Sequence, residues 1–400
     1  MHILIMPSLM YQTDYIPFAG IFQKHQANCL SGAGHRVGVI SAGLLPFSAV
    51  FRPNIYQVAD IADEDNVTVV RRFNKALLPQ RYISPSTQTG IILKLGMEAY
   101  QTYVTRRGRP DILHVHDCLY MGQLAMKLKK EYGIPYIITE HSTMHMRDLY
   151  TTLQKRMIRD VLEQASAVTF VGSGLYRHLN KEFGDLEQVR NAEIVYNVLD
   201  KDFENFEPDI LSGKPSPDDP FVFLNVAHLV EKKSQINLIK ALPAVLGKVK
   251  NARLVIGGEG PMRPLLERTV SELGLSEYVS LPGRLNRRQV MQEMAKCTAF
   301  VLSSRIETFG VVLIEAMAMG KPVIATVCGG PEDFVDTGCG YLIPVEDVGT
   351  LADAMVTLAE NIHNFDRVKI RRRCIDTFGK NAFTIRLEKI YHGVLHQYNP

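Results

Sequence analysis

Two carboxylates, Glu307 and Glu315, stand eight positions apart in the stretch SSRIETFGVVLIEAMAMGKPVIATVCGGP, residues 303–331. Between them Thr308-Phe309-Gly310 makes a glycine-containing turn, and Val311-Val312 opens a helical pattern. The pattern predicts a strand, a loop, a helix, a second strand and a second loop. The first amides of such a helix have no partners inside it, which suits an anionic ligand such as a pyrophosphate. A carboxylate accepts hydrogen bonds and does not donate, so the two glutamates suit hydroxyl groups. An anion flanked by hydroxyls is the chemistry of a nucleotide-diphosphate sugar, and this is the hypothesis the rest of the chain tests.

A bound diphosphate needs its charge met. A helix N-terminus supplies about 0.3–1 kcal/mol, or up to ~2 when partly buried. A charged hydrogen bond adds about 1.5–3 kcal/mol. Lys233 and Arg284 are the cations best placed, each in a loop after a predicted strand, although both positions also suit ordinary surface charges. Gly20 stands just before a predicted helix, where a missing Cβ lets a ligand approach the backbone or merely lets the chain turn. His116 and His141 close the predicted strands DILHVH and PYIIT, on the rim where open α/β sheets bind ligands. Either could equally be a histidine satisfied by hydrogen bonds at a strand end.

The elements that must position these residues alternate. His2 to Met6, Val37 to Ile40, Val67 to Arg71 and Glu193 to Tyr196 are further predicted strands of a first half. Thr89 to Val104, Leu119 to Tyr132 and Leu149 to Gln164 are its helices. Residues 201–220 are polar, acidic and proline-containing, the composition of a linker. A second βαβ series begins at Phe221 and ends in two helices, 350–362 and about 381–396. The fold class is α/β, with domains 1–200 and 221–380.

With 400 residues the chain is long enough for two cores. Hydrophobic content of 46% and charged content of 22% fit a globular protein, and a net charge of +3 argues against dedicated nucleic-acid binding. No apolar run reaches membrane-spanning length, and the start MHILIMPSLMYQ has no signal-peptide character. The six cysteines are scattered without a CxxC pair, which fits the reducing cytosol and predicts neither a disulfide framework nor a metal site. Asp63-Glu64-Asp65 resembles a cation-binding DxD pattern but is predicted to be a solvated turn in a connecting stretch. Gly32-Ala33-Gly34 ends a helix instead of opening one, and Arg263 spoils Gly258-Glu259-Gly260 as a dinucleotide fingerprint.

At this point a family resemblance stands out. Glu307-Thr308-Phe309-Gly310, Glu315-Ala316-Met317-Ala318, Gly320-Lys321-Pro322 and Gly329-Gly330-Pro331-Glu332 closely resemble the E-x7-E region of retaining glycosyltransferases of family 4. Gly20-Ile21-Phe22, the HVH segment, Asn197-Val198-Leu199-Asp200 and Gly257-Gly258-Glu259-Gly260-Pro261 extend the likeness over almost the whole chain. The resemblance implies a GT-B fold, two Rossmann-like domains facing across a cleft, with a C-terminal helix at about 381–400 packing back on the first. The second domain would bind the donor and the first the acceptor, without a catalytic metal or a cofactor. Glu307 would meet the transferred sugar, the Phe309 to Val312 amides the diphosphate, and Glu315 the ribose. Lys233 would neutralise the diphosphate, the backbone near Arg284 would receive the base, and His141 would lie near the reacting carbon.

One departure concerns the phosphate clamp. Where the family commonly carries Gly-Arg-Leu before the lysine and a glycine after it, this chain has Ala227-His228-Leu229 and Ser234. A diphosphate beside His228 favours its charged form. Donor affinity that stays flat from about pH 6 to 8 would defeat that expectation.

The implied activity moves a sugar from a UDP- or GDP-linked donor to a sugar or lipid-linked glycan acceptor, forming an α-glycosidic bond in bacterial polysaccharide or glycoconjugate assembly. A nucleotide-sugar 2-epimerase, a non-catalytic nucleotide-sugar-binding protein and a sugar phosphorylase are the alternatives. An epimerase would convert UDP-GlcNAc with no acceptor present. The acceptor would be chosen by loops 7–19 and 44–90. Arg106, Arg107, Arg109, Lys127, Lys129 and Lys130 give the first half a basic tilt that suits peripheral contact with anionic lipid at the inner face of the plasma membrane, or simply a solvated face.

Overall fold

The computed structural model describes residues 1–7, 11, 20–47, 59–76, 78, 82–116, 118–207 and 219–398. Most of the loop 7–19, part of 44–90 and residues 208–218 of the expected linker lie outside them. The chain separates into two compact units, Met1–Val198 with Lys380–Pro400, and Leu199–Gly379.

The first unit is an eight-stranded sheet. Its strands are β1 (His2–Met6), β2 (Arg36–Leu45), β3 (Ala59–Glu64), β4 (Val67–Lys75), β5 (Ile112–Val115), β6 (Tyr136–Glu140), β7 (Ala167–Phe170) and β8 (Glu193–Ile194). The order is β3-β4-β2-β1-β5-β6-β7-β8, and only the β3–β4 pairing is antiparallel. Ile3, Leu4, Ile5 and Met6 are fully buried in the middle of this sheet. A parallel strand covered on both faces reads as a continuous apolar run, which is why HILIM was legible as a strand.

The second unit is a six-stranded, wholly parallel sheet. It comprises β9 (Phe221–Val226), β10 (Ala252–Gly257), β11 (Val279–Gly283), β12 (Ala299–Leu302), β13 (Val323–Thr326) and β14 (Gly340–Ile343), in the order β11-β10-β9-β12-β13-β14. Both units are thus Rossmann-like α/β sheets, the fold class the sequence implies. The strand order reverses between β1 and β5 in the first sheet and between β9 and β12 in the second. Open α/β sheets bind ligands at such reversals, beyond the C-terminal strand ends.

The helix Lys380–Tyr398 belongs to the first unit, at the other end of the chain from most of its partners. Phe383, Leu387, Ile390, Tyr391 and Val394 recur at helical spacing and pack with Ile3, Ile5, Val37, Ile112 and Ile137. Burial of each large apolar side chain contributes on the order of 1.5–3 kcal/mol relative to exposure. Tyr391 Oη meets His114 Nδ1 at 2.6 Å, and His35 Nε2 meets Glu388 at 2.7 Å.

Three expectations need correction. The first residues of the expected linker form a helix, Lys201–Glu204, because Asp200 caps it and Phe203 is fully buried. The acidic stretch around Asp63 does hold an exposed turn, but that turn joins two paired strands and is not part of a loose connecting stretch. It ends β3 and makes a tight hairpin into β4, with Asp65 and Asn66 in the left-handed conformation such turns use. Its carboxylates are taken by neighbours: Asp63 by Thr68 and Arg106, Glu64 by Arg71 and Asp65 by Asn28. Finally, the helix Arg367–Phe378 was not expected, since its many arginines mask an apolar row at Ile370, Cys374 and Phe378.

Candidate active site

The β9/β12 reversal of the second unit brings together residues far apart in sequence. After β9 a 3-10 turn, Glu231–Lys233, is ended by Ser234 at φ 50°. Ser303 Oγ, just past β12, donates to Lys233 O at 3.0 Å and fixes that turn. Lys233 Nζ then pairs with Glu307 Oε1, and Ser304 Oγ donates to the same oxygen at 2.7 Å. Glu307 is buried, and its amide donates to Cys328 O at 3.0 Å. The carboxylate expected to meet the sugar and the cation expected to meet the diphosphate are therefore in contact.

The helix Val311–Ala318 follows directly, with Gly310 as its N-cap at φ 95° and no side-chain cap. Its first amides are those predicted to suit an anion. Phe309 is an anchor: its ring is buried against Phe334 at 5.2 Å and Phe378 at 5.6 Å, so only its backbone can face a ligand. A Cβ on Gly330 would lie 2.4 Å from Phe309 Cα, so only glycine lets the loop after β13 rest there. Gly258 is likewise fixed by packing, since its Cβ would stand 1.9 Å from Ala227 O and separate the loops after β9 and β10. His228 and Arg284 lie exposed in the loops after β9 and β11. Thr308 is half-buried at the turn before Phe309.

Glu315, 5% exposed, faces a cation the sequence did not suggest. Arg287 Nη1 meets Glu315 Oε1 at 2.7 Å, and the same guanidinium pairs with Asp200 and lies 4.4 Å from the Phe203 ring centroid. Burial pushes the Glu315 carboxyl up from its ordinary range, and Arg287 opposes that rise. Of the residues missed, Ser304 had a signal in its S-x-x-E spacing to Glu307. Arg287 had none, because its partners lie 28 and 87 positions away.

In the first unit, β5 and β6 are neighbours, and their ends bring His116 Nδ1 to 2.8 Å from His141 Nε2. Burial lowers both, His141 to about 4 against an opposing Glu140 and His116 well below its ordinary value, so the pair shares a hydrogen bond between neutral rings. His141 Nδ1 has no hydrogen-bond partner among the described residues. His114, lowered by burial to about 3, joins Tyr391 to Thr139 behind them. Gly20 caps the helix Ile21–Ser31 at φ 65°, a conformation that itself favours glycine.

Among the six basic residues noted above, Arg106 pairs with Asp63 and Lys127 with Glu131, while Arg109 and Lys129 donate to backbone carbonyls. Their charge is partly committed to the fold. No helix among the described residues is long and apolar enough to cross a membrane.

Comparison with known proteins places these features. The model described as Glycosyltransferase Family 4 matches residues 20–203, and that described as Glycosyl transferases group 1 matches residues 207–376. The N-acetyl-alpha-D-glucosaminyl L-malate synthase of Bacillus anthracis is 27% identical over 390 residues, 94% of each chain. Among solved structures, a sucrose-phosphate synthase from Thermosynechococcus elongatus superposes with a TM-score of 0.76 at 19% identity, covering 99% of this chain and 100% of that one. Anabaena Alr3699/HepE in complex with UDP gives 0.73 at 18% identity over 98% and 100% of the two chains. With two Rossmann-like units, and a family match over each, the chain belongs to the family 4 glycosyltransferases and has the GT-B fold.

Proposed function

We propose that this glycosyltransferase is a retaining, metal-independent enzyme that takes its sugar from a UDP- or GDP-linked donor and forms an α-glycosidic bond to a sugar or lipid-linked glycan. The observation that carries the proposal is the Lys233–Glu307 pair beside the uncapped N-terminus of Val311–Ala318, with Glu315 further along the same helix. Glu307 accepts from the sugar hydroxyls, the amides of 309–312 and Lys233 bind the diphosphate, and Glu315 takes the ribose. An ammonium has three donors, so Lys233 can serve the diphosphate and Glu307 together.

As the anomeric C–O bond breaks, negative charge builds on the departing diphosphate, where preoriented amides and Lys233 stabilise it. The acceptor oxygen bonds to the anomeric carbon on the same face, and the departing phosphate takes the acceptor proton. His141 serves the acceptor side of the reaction in the first unit. A relative named a GDP-mannose-dependent mannosyltransferase and the neighbour solved with UDP both favour a nucleotide-sugar donor.

Thermal denaturation against a panel of UDP- and GDP-sugars tests the donor. A donor at about 100 times its Kd stabilises by ~2.7 kcal/mol. Glu307→Gln should abolish transfer, and because it leaves Lys233 without its counter-ion the free protein should still fold but melt at a lower temperature. Transfer by that variant at the parent rate would overturn the site, and a panel with neither a shift nor transfer would overturn the function.

A further inference from the structure

Among the described residues, one group of histidine, cysteine and acidic side chains has its potential ligand atoms all within 4.8 Å of one another: Cys118, Glu140 and His145. We propose that these three form a binding site for one divalent zinc ion in the first unit, separate from the sugar-transfer chemistry. All three are buried, at 1%, 2% and 3% exposure.

The fold assembles the set. Cys118 lies in the turn beyond β5 and Glu140 ends β6, the adjacent parallel strand. Ser142 Oγ accepts from Met144 N at 3.1 Å and turns the chain into one helical turn, Thr143–Met146, which returns His145 over Glu140. Glu140 Oε1 is committed to the amides of His141 and Ser142 at 2.9 and 2.7 Å. Glu140 Oε2 accepts a long bond from Cys118 N, 3.3 Å, and looks toward the other two side chains.

Two observations point to a ligand. His145 Nε2 is buried without a hydrogen-bond partner, and it lies 3.7 Å from Glu140 Oε2. That is too long for a hydrogen bond. It is close to the separation of two ligands on one ion, roughly 3.3–3.5 Å for tetrahedral bonds of about 2.0–2.2 Å. Charge fits as well: a thiolate, a carboxylate and a neutral imidazole carry two negative charges, so one divalent ion makes the occupied site neutral.

The donor set selects the ion. Calcium and magnesium take oxygen ligands, whereas sulfur, nitrogen and oxygen together suit zinc, with a fourth position open to water. Binding releases the thiol proton to solvent. The bound ion would clamp residues 140–146, the segment that carries His141.

Metal analysis of the full chain tests the proposal. The protein is loaded with zinc, freed of excess by gel filtration and assayed for zinc per chain, and in parallel loaded with cobalt to look for a thiolate charge-transfer band. One equivalent of zinc and a cobalt–thiolate band are expected. Cys118→Ser and His145→Phe should each lose the tightly held equivalent, with donor-induced thermal shifts retained as the check that the second unit is intact. Parent protein without retained zinc, or zinc retained equally by His145→Phe, would overturn the site. A Cys118→Ser variant that fails to fold leaves the His145→Phe and cobalt arms to decide.

Discussion

Replacing Arg287 with Leu removes the counter-ion of a carboxylate that is 5% exposed. Breaking a buried ion pair costs about 3–5 kcal/mol, because the remaining charge stays desolvated. The Arg287 side chain is 31% exposed, so solvent screens part of the interaction and the lower end applies, about 3 kcal/mol. Loss of the guanidinium over Phe203 adds about 0.5–1 kcal/mol. Asp200 keeps its bond from Asp202 N at 2.8 Å and contributes less. The sign with pH follows from Glu315. Burial already holds its carboxyl above the ordinary 4.5, and losing Arg287 raises it further. A carboxyl whose folded value exceeds its unfolded one destabilises the fold at neutral pH, and the penalty fades as pH falls through the folded value toward the unfolded one. Urea unfolding at about pH 7.5 and 4.5 should therefore show a large deficit for Arg287→Leu at the higher pH and a smaller one at the lower. Adding Glu315→Gln should recover much of the loss. A deficit under about 0.5 kcal/mol at neutral pH, or one that does not change with pH, would refute the reasoning.

Other outcomes follow from the same geometry. Gly330→Ala places a methyl 2.4 Å from Phe309 Cα, so it should lower the melting temperature and erase the donor-induced shift, and a normal donor shift would contradict the packing argument. His141 and His114 are lowered to about 4 and 3 in the folded state, so the unfolded chain binds more protons below its ordinary 6.5. Stability should fall as pH drops from 6.5 toward 4.5, by up to about 1.4 kcal/mol per unit for each histidine, and His141→Asn should blunt that slope in melting curves. Glu140, held down to about 2 by His145, Cys118 and the Ser142 amide against the upward pull of burial, adds its own loss only below its ordinary 4.5. Lys233→Met should weaken donor binding at least tenfold by titration, since a charged hydrogen bond of about 1.5–3 kcal/mol is lost.

The local patterns were legible because local physics decides them. Buried parallel strands are apolar runs, and glycines mark the turns between βα units, so the alternation of strands and helices stands out. Glu307 and Glu315 were legible because a strand end and a helix start fix their spacing. What could not be read depends on pairing across distance. β3, with the sequence ADIADE, has too few apolar residues to announce a strand, and the antiparallel partner β4 defines it. Lys321 is a charged residue only 5% exposed, its ammonium donating to the carbonyls of Ala295 and Cys297 at 2.8 and 2.6 Å, partners that the sequence does not place beside it. Arg287 and the cluster at Cys118 have partners that only the fold brings near.

The helix Lys380–Tyr398 also sets an order of events during synthesis. The first unit's core includes five of its side chains, yet the ribosome makes that helix only after the whole second unit. Until then the faces of Ile3, Ile5 and Ile137 lack their cover, and His114 Nδ1 lacks the Tyr391 hydroxyl. The nascent first half therefore keeps apolar surface uncovered until the chain is nearly finished, while the second unit is one contiguous segment whose contacts are all available once it is made. A nonsense codon just before residue 380 should thus yield a chain whose second unit resists protease and whose first does not.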